Sequence, residues 1–455
     1  MHSHNRLVSS SIVYGNNVKL REDIVTLSKR TISLLSDAYV VCVLVLSTGA
    51  FFTVFVDTDD LAVSSKGSPI FTIMWGFVYA ISLLRILARR HETAKLFRTN
   101  KAMLLLAGLA VASTYWSIDR SVTLHAAGVL VLTAIVALDF SIHYSIRQQL
   151  RFICIAFVIV AALSVVVELI LPGAVPGQEM EGAAWHGVFG YKNVFGKVIC
   201  FGTLACVAQI DRSRLLRGFA IVSGIALTIL SRSTSAVGFL IFMLLVFVLW
   251  PIFKLKPTPR RFAITALTLI ALTLTFVVAQ NFSRVTTLLD KDPHLTGRVD
   301  LWQLAIGDIE AQPALGYGYQ AFWSYNSVPA RRIREAVNWD TVPHSHNGYI
   351  EMALSLGLIG LAAYGTLCWT LTRRAYIFFM HGSENYRRWP LTFLVFTLAY
   401  QCTEGTAVGS GVFWIVFCSL LFSLTAVKHE ATIPQLSRSP LLVHRRDLST
   451  GAIKV

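Results

Sequence analysis

The chain has 455 residues, of which 55% are hydrophobic and only 14% are charged, and its mean hydropathy is +0.60. This composition excludes an ordinary water-soluble domain and a disordered chain, and it predicts an all-α polytopic membrane protein. The formal net charge of +15 is then a topology signal rather than the footprint of a nucleic-acid partner, so we expect no nucleic acid to bind.

About twelve apolar runs are long enough to be candidate transmembrane helices. In chain order they are residues 37–56, 69–88, 102–117, 121–140, 152–171, 195–210, 218–232, 235–253, 262–280, 348–371, 389–405 and 408–427. They predict one transmembrane domain over residues 37–427, preceded by a tail at 1–36 and followed by a tail at 428–455.

The lysines and arginines predict the orientation of these spans. With a cytoplasmic N-terminus, 29 of the 40 Lys and Arg residues fall on the cytoplasmic side and 11 on the other side. Because cationic segments resist translocation, we expect both tails to be cytoplasmic. The polar N-terminus lacks an apolar core followed by a cleavage site, so the first span is expected to insert uncleaved.

The longest predicted outside loop covers residues 281–345, a length that usually has a function. Residues 297–309, "GRVDLWQLAIGDI", predict an amphipathic helix lying over the membrane face, with its apolar side formed by Val299, Trp302, Ile306 and Ile309. Residues 313–323, "PALGYGYQAFW", predict a glycine-rich aromatic turn, and residues 329–339 predict a second helix.

Polar residues gather at the predicted outer ends of several spans, where charge tends to mark a substrate path. The residues that define this candidate site are Lys192, Asn193, Arg232, Arg298, His344, His346 and Asn347. Arginine binds phosphate oxygens in pairs, lysine acts as a point charge, and a neutral imidazole accepts a hydroxyl proton. The cluster therefore predicts a site for a diphosphate leaving group and a hydroxyl nucleophile.

Several motifs resemble one family of membrane proteins. "HNGYIEMALSLGLIG", which starts at His346, resembles the signature of bacterial O-antigen ligases and Wzy-type polysaccharide polymerases. "GVFGYKNVFG" (187–196) resembles a motif of the ExoQ-like exopolysaccharide branch. "LSRSTSA", "TGRVDLW", "PALGYGYQAFW" and "WSID" also stand in the family's order. The ligase-related region covers about 195–370, including the loop at 281–345.

The resemblance implies a C-type glycosyltransferase (GT-C-like) fold in the bacterial inner membrane. It also implies a glycan transfer that needs no metal or cofactor, from undecaprenyl diphosphate to an acceptor hydroxyl at the periplasmic face. His346 would be the base or the group that orients the acceptor. Arg232 and Arg298 would hold the diphosphate, with Lys192 as a further cation. The accessory residues would be His344, Asn347, Asn193 and Glu404.

Each residue also has a purely structural interpretation. His346 could simply belong to the cap of the tenth span, where Asn347 or Ser345 can satisfy free N–H groups at the helix start. Arg232 could snorkel at the membrane edge, and Arg298 could pair with a neighbouring aspartate. Gly357 and Gly360 favour close packing between helices. The aromatic residues of the 313–323 turn, Tyr317, Tyr319, Phe322 and Trp323, could stack on sugars or form an interfacial belt.

Several functions stay open at this stage. An exopolysaccharide polymerase is favoured, with a glycan repeat unit as acceptor, and an O-antigen ligase that acts on lipid A core comes next; a protein side chain is a third possible acceptor. A transporter or flippase for the lipid-linked glycan and a structural partner in an export complex are the alternatives from other classes. Flippase, export and chain-length proteins are the expected protein partners.

Overall fold

The computed structural model describes residues 30–52, 69–171, 175, 184–209, 214–280, 298–338, 342–382, 384–403, 409 and 411–430. Every regular element in these ranges is a helix, which confirms the all-α prediction. The α-helices are α1 (Arg30–Ser47), α2 (Pro69–Ala88), α3 (Arg90–Thr99), α4 (Lys101–Ala112), α5 (Arg120–His143), α6 (Ile146–Ile170), α7 (Lys192–Ala208), α8 (Arg214–Leu230), α9 (Thr234–Leu249), α10 (Pro257–Gln280), α11 (Arg298–Ala311), α12 (Val328–Ala336), α13 (Gly348–Met380), α14 (Trp389–Tyr400) and α15 (Val412–Glu430).

The helices coincide with the predicted apolar runs. Each of the twelve runs contains a helix, and α13 begins at residue 348 as predicted. Within the described residues, six helices are long and apolar enough to cross a membrane: α1, α2, α5, α6, α9 with the short turn that follows it, and α13. The chain is therefore a multi-pass membrane protein, and the total of twelve spans stays a prediction.

Helix faces that do not pack inside the bundle carry large apolar side chains. On α2, Ile73, Phe77 and Leu84 are all more than half exposed, and on α8 Leu215 and Phe219 are as well. Rows of exposed apolar side chains are unfavourable in contact with water and favourable in contact with lipid chains. These faces support a lipid environment independently of helix length.

Helix α7 lies at the centre of the bundle, packed against α6, α8, α9 and α14. Every residue from Phe195 to Cys206 is buried. Gly202 allows α6 to come close, since a Cβ there would lie 2.0 Å from the ring of Phe157. The helix that starts at the predicted site residue Lys192 is thus held on almost all sides.

The packing of α9, α13 and α14 shows which helix ends share a face. Ser233 caps the start of α9 by accepting the N–H of Ala236. Far from that cap, Lys254 donates to the Gly382 carbonyl and Arg388 donates to the Phe247 carbonyl. The starts of α9 and α13 and the end of α14 therefore lie at one end of the bundle, and the cations after α9 and α13 lie at the other.

Residues 298–338, together with Val342, form a small helical cap with its own apolar core, which is sealed by Leu354 of α13. The predicted helices of this loop are present as α11 and α12. The predicted apolar face of α11 is wrong, because the helix buries Leu301 and Ala305 against the cap while Ile306 is 47% exposed. Packing inside the cap, and not a membrane face, sets the orientation of α11.

Helix α13 is broken at Gly357, which has φ +64°. The turn at 313–318 fills the break: Tyr317 N–H donates to the Leu354 carbonyl at 2.8 Å, and Leu358 N–H donates to the Pro313 carbonyl at 2.8 Å. A Cβ on Gly357 would lie 2.2 Å from the Ala314 carbonyl oxygen. The glycine admits a loop backbone, so the predicted helix-to-helix packing role is wrong.

Candidate functional site

The two histidines of the "HSHN" segment lie side by side just before α13. Their ring centroids are 4.2 Å apart, and the His346 backbone N–H donates to His344 Nδ1 at 3.1 Å. Asn347 is the cap of α13, since its side-chain oxygen accepts the N–H groups of Tyr349 and Ile350. The cap is therefore Asn347, and His346 is placed by the turn in front of it.

Two of the predicted site residues have an unusual backbone. His346 has φ +53° and Arg232 has φ +50°, which places both in the left-handed region that side chains with a Cβ rarely occupy. Such conformations cost free energy, and they persist where the surroundings fix them, often at functional sites. Sequence patterns did not predict this strain.

The histidine turn is held by neighbours from three directions. The carboxylate of Glu351 accepts the Ser345 N–H at 2.5 Å and the Trp323 indole N–H at 2.8 Å. The Ser345 carbonyl in turn accepts the Trp302 indole N–H at 2.8 Å. Because the backbone on the N-terminal side of His346 is bonded to the cap, its ring is presented by a rigid support.

The C-terminal end of α14 joins the histidine turn to Arg298. Gly348 N–H donates to the Gln401 carbonyl at 2.8 Å, and Arg298 Nη1 donates to the Thr403 carbonyl at 2.8 Å. A Cβ on Gly348 would lie 2.2 Å from Gln401 Oε1, so any larger residue of the "HNG" motif would force the Gln401 side chain to move. Arg298 and the start of α13, next to the histidine turn, are thus both hydrogen-bonded to residues 401–403.

A second set of contacts joins the Lys192 region to the Arg232 turn. Ser233 Oγ donates to Asn193 Oδ1 at 2.9 Å, and Gly196 fits against Ser231 and Ala236. Arg232 itself is exposed. The predicted pair of motifs, 187–196 and 230–236, therefore forms one packed unit from which the Arg232 guanidinium is presented.

Helix α14 also links these two units. Tyr400 packs against Phe239 of α9 with ring centroids 4.6 Å apart, and it lies directly before Gln401. The structure thus brings the Arg232 turn, the His346 turn and the start of α11 at Arg298 to one end of the bundle. Glu404, the remaining predicted accessory residue, lies outside the described residues.

Two charged residues near the site were missed by sequence reasoning. Lys197 is buried on α7, with Nζ 5.8 Å from the centroid of Tyr400 and 5.5 Å from that of Phe413. Glu351 supports the histidine turn and interacts electrostatically with His346. Each could have been found as a charged residue inside an apolar run, which is costly without a purpose.

Glu168, near the end of α6, has a structural role in front of Lys192. Its Oε1 accepts the N–H groups of His186 at 2.6 Å and Gly187 at 2.7 Å. Trp185 N–H, on the same stretch, donates to the Leu230 carbonyl at 3.0 Å. The carboxylate therefore ties the segment that precedes Lys192 to the Arg232 turn.

The aromatic turn serves the fold of the cap more than an open sugar-binding surface. Tyr319 and Phe322 are almost fully buried, and Tyr317 donates from its hydroxyl to the Asp308 carbonyl. Burial raises the pKa of the Tyr317 and Tyr319 hydroxyls, so both hydroxyls stay neutral. Trp323 is partly buried and supports Glu351, as described above.

The arrangement supplies cations and an imidazole for anionic and hydroxyl groups. Among the described residues, no group of three or more His, Cys, Asp or Glu side chains is placed to hold a metal ion. The site provides a rigidly held imidazole at His346, Arg298 at the start of α11, and an exposed arginine at position 232.

Comparison with known proteins agrees with the motifs. Residues 219–365 match the family model described as O-antigen ligase, a range that contains Arg232, Arg298 and both histidines but leaves out Lys192. The exopolysaccharide production protein ExoQ of Rhizobium meliloti is 35% identical over 115 residues, which cover 22% of this chain and 26% of that protein. A Rickettsia felis protein provisionally named a polysaccharide ligase is 25% identical over 210 residues, which cover 43% of this chain and 50% of that protein.

The chain thus spans about a quarter and about half of the length of these two curated relatives. The matched family segment runs from α8 through the break in α13, so it contains the Arg232 turn, the described cap and the histidine turn. The resemblance indicated by the ordered motifs is confirmed, since residues 219–365 of this chain match the O-antigen ligase family model.

Proposed function

We propose that this protein is a membrane glycosyltransferase of the polymerase and ligase type. It transfers a glycan from undecaprenyl diphosphate to an acceptor hydroxyl at the periplasmic face, in exopolysaccharide synthesis. The observation that carries the proposal is the His346 turn, strained and rigidly supported, at the end of the bundle that also holds Arg298 and the Arg232 turn.

The proposed chemistry assigns one task to each group. The acceptor hydroxyl oxygen attacks the anomeric carbon, the bond from that carbon to the diphosphate oxygen breaks, and undecaprenyl diphosphate leaves. The imidazole of His346 takes the hydroxyl proton. Arg232 and Arg298 stabilise the charge that develops on the diphosphate, and Lys192 adds a further cation. Because diphosphate is already a good leaving group, positioning and charge stabilisation supply most of the rate.

The orientation follows from the separation of the charges. The end of the bundle opposite His346 carries a dense set of cations: Lys254, Arg373, Arg374, Arg387 and Arg388. Cationic ends stay in the cytoplasm, which supports a periplasmic site and cytoplasmic termini in the inner membrane.

The break at Gly357 bears on the transporter alternative. Broken helices in transporters expose backbone groups to a transported substrate. In this chain the 313–318 turn bonds the groups on both sides of the break, including the Leu354 carbonyl and the Leu358 N–H. The break is thus used to seat a loop, which supports chemistry over passage.

The name of the ExoQ relative favours an exopolysaccharide repeat unit as acceptor, ahead of lipid A core. Flippase, export and chain-length proteins remain proposed partners. Deleting the protein from its bacterium and examining secreted polysaccharide and lipopolysaccharide separates the two acceptors. Loss of exopolysaccharide with intact lipopolysaccharide is the expected result.

A direct assay tests the reaction itself. The purified full-length protein is placed in vesicles with undecaprenyl-diphosphate glycan and acceptor, and new glycosidic bonds are scored by mass spectrometry. We expect bond formation with release of undecaprenyl diphosphate. Donor that crosses the bilayer without any new bond would establish the transporter instead.

A further inference from the structure

A cavity of about 690 Å³ lies at the end of α13 that is remote from His346, between α13 and the junction of α3 with α4. Its lining includes Arg98, Lys101, Arg373 and Arg374. At 1.5 Å per residue, Arg374 is about 40 Å along α13 from Gly348, roughly the thickness of a membrane with its headgroups. The cavity is therefore separate from the proposed glycan site.

Within the described part of the chain, the positive charge in this cavity has no matching negative charge in the wall. The described residues that line it include no aspartate or glutamate. Arg374 is fixed by neutral acceptors, among them the Asn100 side-chain oxygen and the Leu421 carbonyl at 2.8 Å. Arg98, Lys101 and Arg373 are exposed around it. Four cations without a carboxylate form a strong site for an anion.

The rest of the lining carries no charge, and it combines threonine and asparagine side chains with an apolar wall on α13. Trp369, Arg373 and Ile377 follow one another at four-residue spacing on one face of α13, and Trp369 is 70% exposed. Tryptophan favours the level of lipid headgroups, and apolar side chains beside it suit an acyl chain. A small soluble anion would bind to the cations but would make no contact with the apolar wall formed by Trp369 and Ile377.

We propose that the cavity binds an anionic phospholipid, with its phosphate held by Arg98, Lys101 and Arg373 and an acyl chain laid along Trp369 and Ile377. Cardiolipin, which carries two phosphates, is the best match to four cations. Basic pockets between transmembrane helices commonly bind such headgroups. The lipid would brace the junction of α3 with α4 against the helix that carries the His346 turn at its other end.

The first test uses the unmodified protein and does not depend on glycosyl transfer. The protein is purified in detergent, and native mass spectrometry measures the binding of added cardiolipin, phosphatidylglycerol and phosphatidylethanolamine, with inorganic phosphate as the soluble probe. We expect cardiolipin to bind most tightly, then phosphatidylglycerol. Equal binding of phosphatidylethanolamine, or equal thermal stabilisation by inorganic phosphate, overturns the proposal.

The second test uses variants that remove equal charge. In the site variant R98Q/K101Q/R373Q, cardiolipin affinity is expected to fall about 100-fold. Each cation near an anionic lipid contributes a similar amount of binding free energy, and the variant removes three of them. The matched control R89Q/R90Q/K95Q removes three exposed cations from the same region, none of which lines the cavity. A similar loss in both variants, or no loss in the site variant, contradicts the assignment.

Arg374 is left unchanged in both variants because its bonds hold α13 to α4 and α15. Should the site variant fail to fold, W369A removes only the apolar wall. We expect W369A to weaken cardiolipin binding and to leave the binding of inorganic phosphate unchanged. Unaltered cardiolipin binding by W369A contradicts the proposed acyl-chain contact.

Discussion

Two polar clusters in this protein use the same kinds of side chain for different ends. In the first, the buried carboxylate of Asp139 accepts from Arg85 Nε at 2.9 Å and lies 2.9 Å from His143 Nδ1. In the second, His346 and Arg232 are presented by strained backbone turns that neutral groups and one carboxylate support. In the first cluster, the negative charge of Asp139 is paired directly with the positive charge of Arg85.

The difference shows how a membrane protein separates structural charge from functional charge. Ser36 and Ser82 complete the bonds around Arg85 and Asp139, so this cluster ties α1, α2 and α5 together. Around Arg232, the described residues provide a rigid frame but no carboxylate partner, and the guanidinium is exposed. We expect substitutions in the first cluster to change stability and those in the second to change the reaction.

The largest effect is expected for His346. Replacing it with alanine should lower the rate of polymer formation by about 100- to 10,000-fold, the usual contribution of a positioned acid or base. The measurement is initial rate per folded protein in the vesicle assay, with folding checked by size-exclusion chromatography. His143→Ala is the matched control, since it removes a histidine from the Asp139 cluster. Equal rates for H346A and wild type defeat the catalytic assignment.

The reverse pattern is expected for Asp139. Replacing it with asparagine leaves the partly buried guanidinium of Arg85 without its carboxylate, so a loss of stability near the lower end of about 3–5 kcal/mol is expected. The melting temperature of the purified protein should fall, while the rate per folded molecule stays near that of wild type. A loss of rate without a loss of melting temperature would mean that this cluster takes part in the reaction.

An intermediate effect is expected for Arg232. Arg232→Gln removes charge-assisted bonds to the diphosphate, worth about 1.5–3 kcal/mol, and should lower kcat/KM for the donor by about 10- to 100-fold. Arg232→Lys should recover only part of the lost kcat/KM, because lysine cannot bind two phosphate oxygens at once as arginine does.

Arg120, an exposed cation at the start of α5, provides the control for Arg232. It lies at the same end of the bundle, since the neighbouring Ile118 N–H donates to the Tyr317 carbonyl in the cap. R120Q should behave like wild type. A similar fall in kcat/KM for R120Q and R232Q would reduce the role of Arg232 to general charge at this face.

The sequence predicted those features that depend on local pattern. Apolar runs located the helices because burial in lipid demands continuous hydrophobicity, and Asn347 at the head of a run predicted the cap of α13. The candidate residues were found through ordered motifs, and the structure places the Arg232 turn, the His346 turn and the start of α11 at Arg298 at one end of the bundle.

Long-range contacts set the features that the sequence did not predict. The break at Gly357 exists because the backbone of a turn some forty residues earlier pairs with it, and no local pattern encodes that partner. The same holds for the buried face of α11, which α12 and Leu354 select. Glu351 was passed over because its role depends on Trp323 and on a turn of the backbone at Ser345.

The smallest effect is expected for His344, which we place as a positioning residue. Its Nδ1 accepts the His346 N–H, so it must be unprotonated there to support the left-handed turn. His344→Phe keeps a ring but removes the acceptor, and loss of about 1 kcal/mol should lower the rate about five-fold.

The dependence of rate on pH distinguishes positioning from chemistry. In wild type, acid conditions put a proton on His344 Nδ1 and remove the acceptor of the His346 N–H. The roughly five-fold advantage of wild type over H344F should therefore shrink as the pH falls. The nearby carboxylate of Glu351 is present in both proteins, so the ratio of the two rates is the quantity to follow. A ratio that does not change with pH would show that protonation of His344 does not govern the turn, whereas an H344F rate as low as that of H346A would make His344 the acting base.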